Sequence, residues 1–159
     1  MIIGIVAIAK NFAIGKGGKL PWHYPADLKF FKETTTGSAV LMGANTYRSI
    51  GKPLPNRLNI VLSASSSIEP VREIMRLADK DEVLDLAQYL TRDLYVIGGA
   101  EIFRTFADEI EKWIVTEVPI EVEDADVFMP EDFLAGFEQT ETHDLGDGLH
   151  VRVMQRKPN

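Results

Sequence analysis

The sequence predicts an α/β fold: a mixed, mainly parallel twisted sheet with flanking helices, ending in a C-terminal antiparallel hairpin. Three observations predict it. Residues 2–9 form an unbroken run of Ile, Val, Ala and one Gly, the pattern of a strand covered on both faces. Residues 94–103 pass from Leu-Tyr-Val-Ile through Gly98-Gly99 into Ala-Glu-Ile-Phe, a buried strand opening directly into a helix. Residues 136–145 and 149–156 alternate apolar and polar side chains around Gly146-Asp147-Gly148, a hairpin signal.

The other elements follow in chain order. Residues 11–19 interleave Gly15, Gly17 and Gly18 with Lys16 and Lys19, but Leu20 stands where a phosphate-binding loop needs Ser or Thr, so nucleotide hydrolysis is rejected. The segment reads as a flexible flap ending at Leu20 or as a plain surface loop. Pro25 suits a first helical position, which places a helix over about residues 26–35. A short strand over 38–42 then turns through Gly43 into a short helix carrying Asn45, Thr46 and Ser49, whose start is a generic anion seat. Pro53, Pro55 and Asn56 make a rigid turn presenting Arg57 ahead of a strand over 58–62. An arginine so held either grips a carboxylate with two parallel bonds or lies in solvent. Residues 63–67 are small and polar, either hydroxyl donors to a cofactor or a loop. Val83, Leu84, Leu86, Ala87 and Leu90 give residues 81–90 one broad apolar face, to which only packing is assigned. A strand over 113–118 carries Thr116, and the acidic run 121–126 is expected to be a solvated loop.

At 159 residues one domain spanning 1–159 is expected, burying roughly 70% of the surface of its unfolded chain. The chain has no cysteine, and His23, His143 and His150 are scattered, so neither disulfides nor a metal site are expected. A net charge of −7 argues against a nucleic-acid partner, and an anionic ligand needs local positive charge. The apolar N-terminus lacks a basic start and the length to span a bilayer. The expectation is a cytoplasmic monomer without membrane contact.

The chain is organised around residues 20–32, Leu-Pro-Trp-His-Tyr-Pro-Ala-Asp-Leu-Lys-Phe-Phe-Lys. Helical spacing sets Leu28 and Phe31 beside Asp27, giving an acid among hydrocarbon. Such a carboxylate has a raised pKa unless a ligand offers it a matched pair of donors. Taken alone, Asp27 also fits a solvated first-turn residue favouring the helix dipole. Two prolines and two aromatics on the approach to the helix, Trp22 and Tyr24 among them, suit a covering role better than a polar loop does.

Taken together, these residues resemble bacterial dihydrofolate reductase. The matching pieces are Leu-Pro-Trp at 20–22, Pro-Ala-Asp-Leu at 25–28, Phe31-Lys32, Met-Gly-x-x-Thr at 42–46, Ser49-Ile50-Gly51, Pro-Leu-Pro-x-Arg at 53–57, Val-Ile-Gly-Gly at 96–99 and Thr116. They lie in order along nearly the whole chain. The resemblance implies hydride transfer from NADPH to pterin C6 of dihydrofolate with protonation at N5. Asp27 would pair with the pterin amino group and the N3 proton, supported by Thr116, with Leu20 closing the flap and Trp22 anchoring its far end. Ile5, Ala7, Leu28, Phe31, Ile50 and Leu54 would wall the substrate, and Arg57, helped by Lys32, would bind its glutamate carboxylate. The cofactor would lie along Ala7, Ile14, Gly43, Asn45, Thr46, Ser49, Ser63, Ile97, Gly98, Gly99, Ala100, Ile102 and Phe103, and the family joins the two glycines by a cis peptide.

Two departures stand out. The family usually carries a basic residue after Met-Gly that meets the 2′-phosphate of NADPH, where this chain has Ala44 and Asn45, and Glu101 replaces a frequent Arg. A charge-assisted phosphate contact contributes about 1.5–3 kcal/mol, so NADPH is expected as cofactor with NADH tolerated, and Ser63 and Ser65 are the hydroxyls available to compensate. A reductase of the same fold acting on a ribosyl-phosphate substrate would need phosphate donors in place of Asp27 and Arg57. A non-catalytic binding module would not need the acid, the flap and both glycines together.

Overall fold

The N-terminal apolar run becomes β1 (Ile2–Ile8), near the middle of an eight-stranded sheet in a computed structural model that describes residues 1–64 and 68–159. The remaining elements are β2 (Ala13–Gly15), α1 (Pro25–Thr35), β3 (Ala39–Gly43), α2 (Ala44–Ile50), β4 (Leu58–Leu62), β5 (Ile74–Leu77) and α3 (Lys80–Ala87), then β6 (Leu94–Gly98), α4 (Ala100–Thr105), β7 (Lys112–Glu117), β8 (Val127–Phe128), β9 (Phe137–Gly146) and β10 (Leu149–Arg156). The sheet order is β5-β4-β3-β6-β1-β7-β10-β9. Every pairing from β5 across to β7 is parallel, and β10 is antiparallel to both β7 and β9.

Alternation sorts the strand residues into two apolar layers, one on each face of the sheet. Val6, Ile8, Leu41, Ile60 and Val96 pack with Val83 of α3 and with Ile102 and Phe103 of α4. Ile3, Ile5, Val40, Met42 and Val61 pack with Phe30 and Phe31 of α1 and Tyr47 and Ile50 of α2. The parallel strands therefore read as continuous apolar runs. Gly4 has a separate reason: a Cβ there would fall 2.5 Å from the ring of Trp113, so only glycine lets the indole cross β1. At the hairpin tip Asp147 takes φ +56° between Gly146 and Gly148, both also in the left-handed region.

Three elements differ from expectation. The helix expected over 81–90 is shorter, running Lys80–Ala87, with the Asp79 carboxylate capping it by accepting from the Glu82 N–H at 2.9 Å. β5 is an edge strand that sequence reasoning missed, because Met75 and Arg76 are both exposed and no alternation marks it. The acidic run is not a free loop. Asn11 Nδ2 donates to the Val122 carbonyl at 3.0 Å, Lys16 pairs with Asp124, and the Gly17 N–H donates to Asp126 at 2.9 Å. With β2 paired to β8, residues 122–128 hold the first limb of the flap. Among the described residues no helix is long and apolar enough to cross a membrane.

Candidate active site

The carboxyl ends of β1, β3, β4, β6 and β7 open onto one cleft of about 1200 Å³. Pro25 starts α1, and Asp27 in its first turn is 9% exposed on the cleft wall. β7 lies beside β1 with Thr116 opposite Ala7, which brings the buried Thr116 hydroxyl to the Asp27 carboxylate. Burial raises the Asp27 pKa above 3.8, and the hydrogen bond donated by Thr116 offsets part of that rise. Leu28 and Phe31 line the same wall. Leu28 is 49% exposed, because it faces the open cleft instead of packing on the acid. The Trp22 indole Nε1 is buried with no partner among the described residues, and the side chain lines the cleft beside Leu20, which is half-exposed at the end of the flap.

One end of the cleft is basic and braced. Arg57 donates from Nε to the Pro55 carbonyl at 2.9 Å and from Nη1 to Thr35 Oγ1 at 3.0 Å. Burial lowers its pKa, yet an arginine guanidinium stays protonated in proteins and remains a cation here. Lys32, Ile50 and Leu54 line this end, and Ile5 and Ala7 of β1 line the floor beside Asp27.

The middle of the cleft is glycine. The Gly98–Gly99 peptide bond is cis, with Gly98 at φ +121°. Gly43 closes β3, where an added Cβ would stand 3.0 Å from the Ile102 side chain, so a larger residue there would have to push Ile102 of α4 aside. Ile14, Asn45, Thr46, Ser49, Ile97, Ala100, Ile102 and Phe103 all line this stretch.

The far end, past β4 and β5, is acidic among the described lining residues, and Arg76 of β5 donates from Nη1 to the Ser63 carbonyl at 3.3 Å beside it. Leu62, Ala64, Ala78, Asp79 and Glu101 line it, and the lysines and arginines lining the cleft among the described residues are Lys19, Lys32 and Arg57. Ser63 departs from its expected place. It is buried, its N–H donates to the Leu77 carbonyl at 2.9 Å, and it does not line the cleft; its neighbours Leu62 and Ala64 do. Ser65 lies outside the described residues. Ala78 and Asp79 escaped sequence reasoning because only β5 brings them to the cleft, although an Asp ahead of an apolar-periodic stretch is a cap signal.

A glycine-floored cleft across the carboxyl ends of parallel strands, with a buried acid on one wall and a cation at one end, defines an open α/β enzyme that binds an extended ligand at its topological crevice. A profile of the dihydrofolate reductase family matches residues 1–153, and the chain belongs to that family. It is 38% identical over 137 residues to the dihydrofolate reductase of Haemophilus influenzae, covering 80% of this chain and 77% of that protein. To the dihydrofolate reductase of Enterococcus faecium it is 36% identical over 146 residues, covering 91% and 86%. A solved structure of dihydrofolate reductase from Enterococcus faecalis, complexed with NADP(H) and RAB-propyl, superposes with a TM-score of 0.90 at 29% identity, covering 99% of this chain and 97% of that one.

Proposed function

We propose that this chain reduces 7,8-dihydrofolate to 5,6,7,8-tetrahydrofolate with NADPH, by hydride transfer to pterin C6 and protonation at N5. The observation that carries the reading is Asp27: a buried carboxylate on a cleft wall, its pKa raised by desolvation and its orientation held by Thr116. A buried acid in that state is poised for a partner that offers two adjacent N–H donors, which the pterin amino group and N3 supply.

The residues divide the work. Asp27 and Thr116 hold the pterin in register, and Ile5, Ala7, Leu28, Phe31, Ile50 and Leu54 exclude water from its faces and from the benzoyl ring. Arg57, with Lys32 beside it, takes the glutamate carboxylate. Leu20 and Trp22 close over the reacting centre from the flap. The Trp22 indole N–H, without a partner among the described residues, suits a water there that relays the proton to N5.

The floor fits a dinucleotide. Bound there, reduced nicotinamide supplies the hydride. Ala7 and Ile14 stand where its ring would lie, Gly43, Gly98 and Gly99 let backbone approach the pyrophosphate, and Asn45, Thr46, Ser49, Ile97, Ala100, Ile102 and Phe103 line the rest of its course. From the reacting centre that course leads past the glycines to the end lined by Ala64, Asp79 and Glu101. Among the described residues the charged groups lining this end are Asp79 and Glu101, which repel a phosphate dianion, so preference for NADPH over NADH is weakened. The chain acts as a single-domain, cytoplasmic monomer without nucleic-acid or membrane partners.

The test is loss of reduced-nicotinamide absorbance with dihydrofolate, run with NADPH and with NADH, together with the Kd of each nucleotide from nicotinamide fluorescence. Turnover with both, at Kd values within about tenfold, is the expected result. No turnover with either would remove the reductase reading, and a much tighter Kd for NADPH would remove only the weakened preference.

A further inference from the structure

We propose that Thr35 is a positioning residue for substrate recognition: its buried hydroxyl, outside the cleft, sets the guanidinium of Arg57 in the attitude that receives a carboxylate. The proposal rests on the reading of Arg57 as the carboxylate clamp. Thr35 is the last residue of α1 and fully buried. Its Oγ1 donates to the Phe31 carbonyl at 2.9 Å and accepts from Arg57 Nη1 at 3.0 Å. A hydroxyl has one proton, and here the helix consumes it. The oxygen lone pairs are therefore fixed toward Arg57, where only a donor satisfies them.

The second bond of the guanidinium, from Nε to the Pro55 carbonyl at 2.9 Å, fixes its other edge. Of the five N–H groups an arginine carries, three remain for a ligand, both of those on Nη2 among them. The backbone beneath is fixed separately by Asn59, which is 1% exposed. Its Oδ1 accepts from the Leu54 N–H at 2.9 Å, and its Nδ2 donates to the carbonyls of Leu54 at 2.9 Å and Arg57 at 3.0 Å. The Gly37 N–H donating to the Asn56 carbonyl at 2.8 Å ties the end of α1 to the same turn. Asn59 thus holds the main chain of Arg57 while Thr35 holds its side chain. A long side chain otherwise free to rotate reaches the cleft with its rotamer entropy already spent, which is the condition for bidentate recognition.

The experiment compares Thr35→Val, nearly the same shape without the acceptor, with the wild type on two substrates: dihydrofolate and a dihydropterin lacking the aminobenzoylglutamate tail. The KM for dihydrofolate should rise about tenfold with kcat little changed, and both constants for the tail-less substrate should stay as they are. Thr35→Ser should restore the wild-type KM. In an Arg57→Ala background the same Thr35→Val change should have no further effect on KM, since the group it positions is gone. Equal loss on both substrates, or a full effect in the Arg57→Ala background, would show a merely structural hydroxyl and overturn the proposal. Binding of p-aminobenzoylglutamate reads the clamp without turnover, and its Kd should rise by the same factor in Thr35→Val. Should the wild type turn over neither substrate, the reductase reading fails, and this binding measurement alone still upholds the clamp or overturns it.

Discussion

The two ends of the cleft stand at the two ends of β4, with Arg57 just before that strand and Ala64 just after it, roughly 20 Å of strand apart. At the first end a single cation is held by a buried hydroxyl, a turn carbonyl and a buried asparagine beneath its backbone. At the second, the described lining residues are a leucine, two alanines, an exposed aspartate that caps a helix and an exposed glutamate. The difference is between a recognition site pre-ordered by groups that never touch the ligand and an open end that leaves the ligand to water. Pre-ordering lowers the entropic cost of binding, so discrimination should be strong for a carboxylate at the Arg57 end and weak for a phosphate at the Glu101 end.

Between the ends, Asp27 serves neither grip, and removing its charge should produce the largest loss in the molecule. Asp27→Asn keeps the shape and the bond from Thr116 but presents an amide where two donors expect an acceptor pair. Loss of one or two charge-assisted bonds at about 1.5–3 kcal/mol each predicts a fall in kcat/KM of roughly 10- to 10⁴-fold near neutral pH. The Kd for p-aminobenzoylglutamate should stay unchanged, because that ligand uses only the Arg57 end. Undiminished kcat/KM in this variant would break the central assignment.

Arg57→Ala comes next. It removes a bidentate contact worth about 2–4 kcal/mol, so the KM for dihydrofolate should rise roughly 30- to 1000-fold, with kcat largely retained. Arg57→Lys should recover little, since an ammonium cannot form the fork or satisfy Thr35 and Pro55 together. If dihydrofolate and the tail-less dihydropterin suffered alike, the contrast between the two ends would collapse.

The opposite end is sharpened by adding what it lacks. Glu101→Arg exchanges a repelling charge for an attracting one where the ribose lies, and a charge-assisted phosphate bond of about 1.5–3 kcal/mol predicts NADPH binding tighter by roughly 10- to 150-fold. NADH should hardly respond. Because Glu101 is exposed, the gain should shrink as salt rises, and titrations at two ionic strengths will show it. An equal gain for both nucleotides would mean that the arginine meets the pyrophosphate instead.

The same contrast explains what the sequence made legible. Strands buried on both faces announce themselves by composition, as residues 2–9 and 94–98 do, and a hairpin announces itself by Gly-Asp-Gly. Asp27, Arg57 and the glycines stand in short motifs whose local geometry presents them to the cleft. Thr35 and Asn59 gave no such signal. A threonine ending a helix and an asparagine inside a strand acquire meaning only through partners brought near by the fold, Arg57 being 22 residues from Thr35. The Asp79 end depended on β5, an edge strand without periodicity, and the burial of Ser63, whose N–H meets the Leu77 carbonyl at the end of that strand, has no local signal either. The acidic run 121–126 looked like solvated surface because its charges are exposed, yet Asp124 and Asp126 face the flap across more than 100 residues of chain.

The smallest expected effect runs opposite to the largest and comes from the same side chain. Burial raises the Asp27 pKa in the folded chain above its ordinary value of 3.8, so folding favours the protonated acid. Below pH 3.8 the group is neutral whether the chain is folded or not, and its contribution to stability is then fully present. As the pH rises through the folded-state pKa that contribution is lost, and above it the ligand-free protein carries a desolvated charge that the hydrogen bond from Thr116 offsets in part. Asp27→Asn removes the charge while keeping the hydrogen bond. The ligand-free variant should therefore melt slightly above the wild type at pH 7.5, and the gap should narrow toward pH 4.5. A saturating tail ligand at the Arg57 end should leave the gap intact, whereas a pterin that pairs with Asp27 should close or reverse it, because only the charged wild type then gains the matched donors. A variant less stable than the wild type at pH 7.5 would mean that the carboxylate already finds enough partners in the empty cleft, and that the acid, like Arg57, is braced by the scaffold and not held open for a ligand.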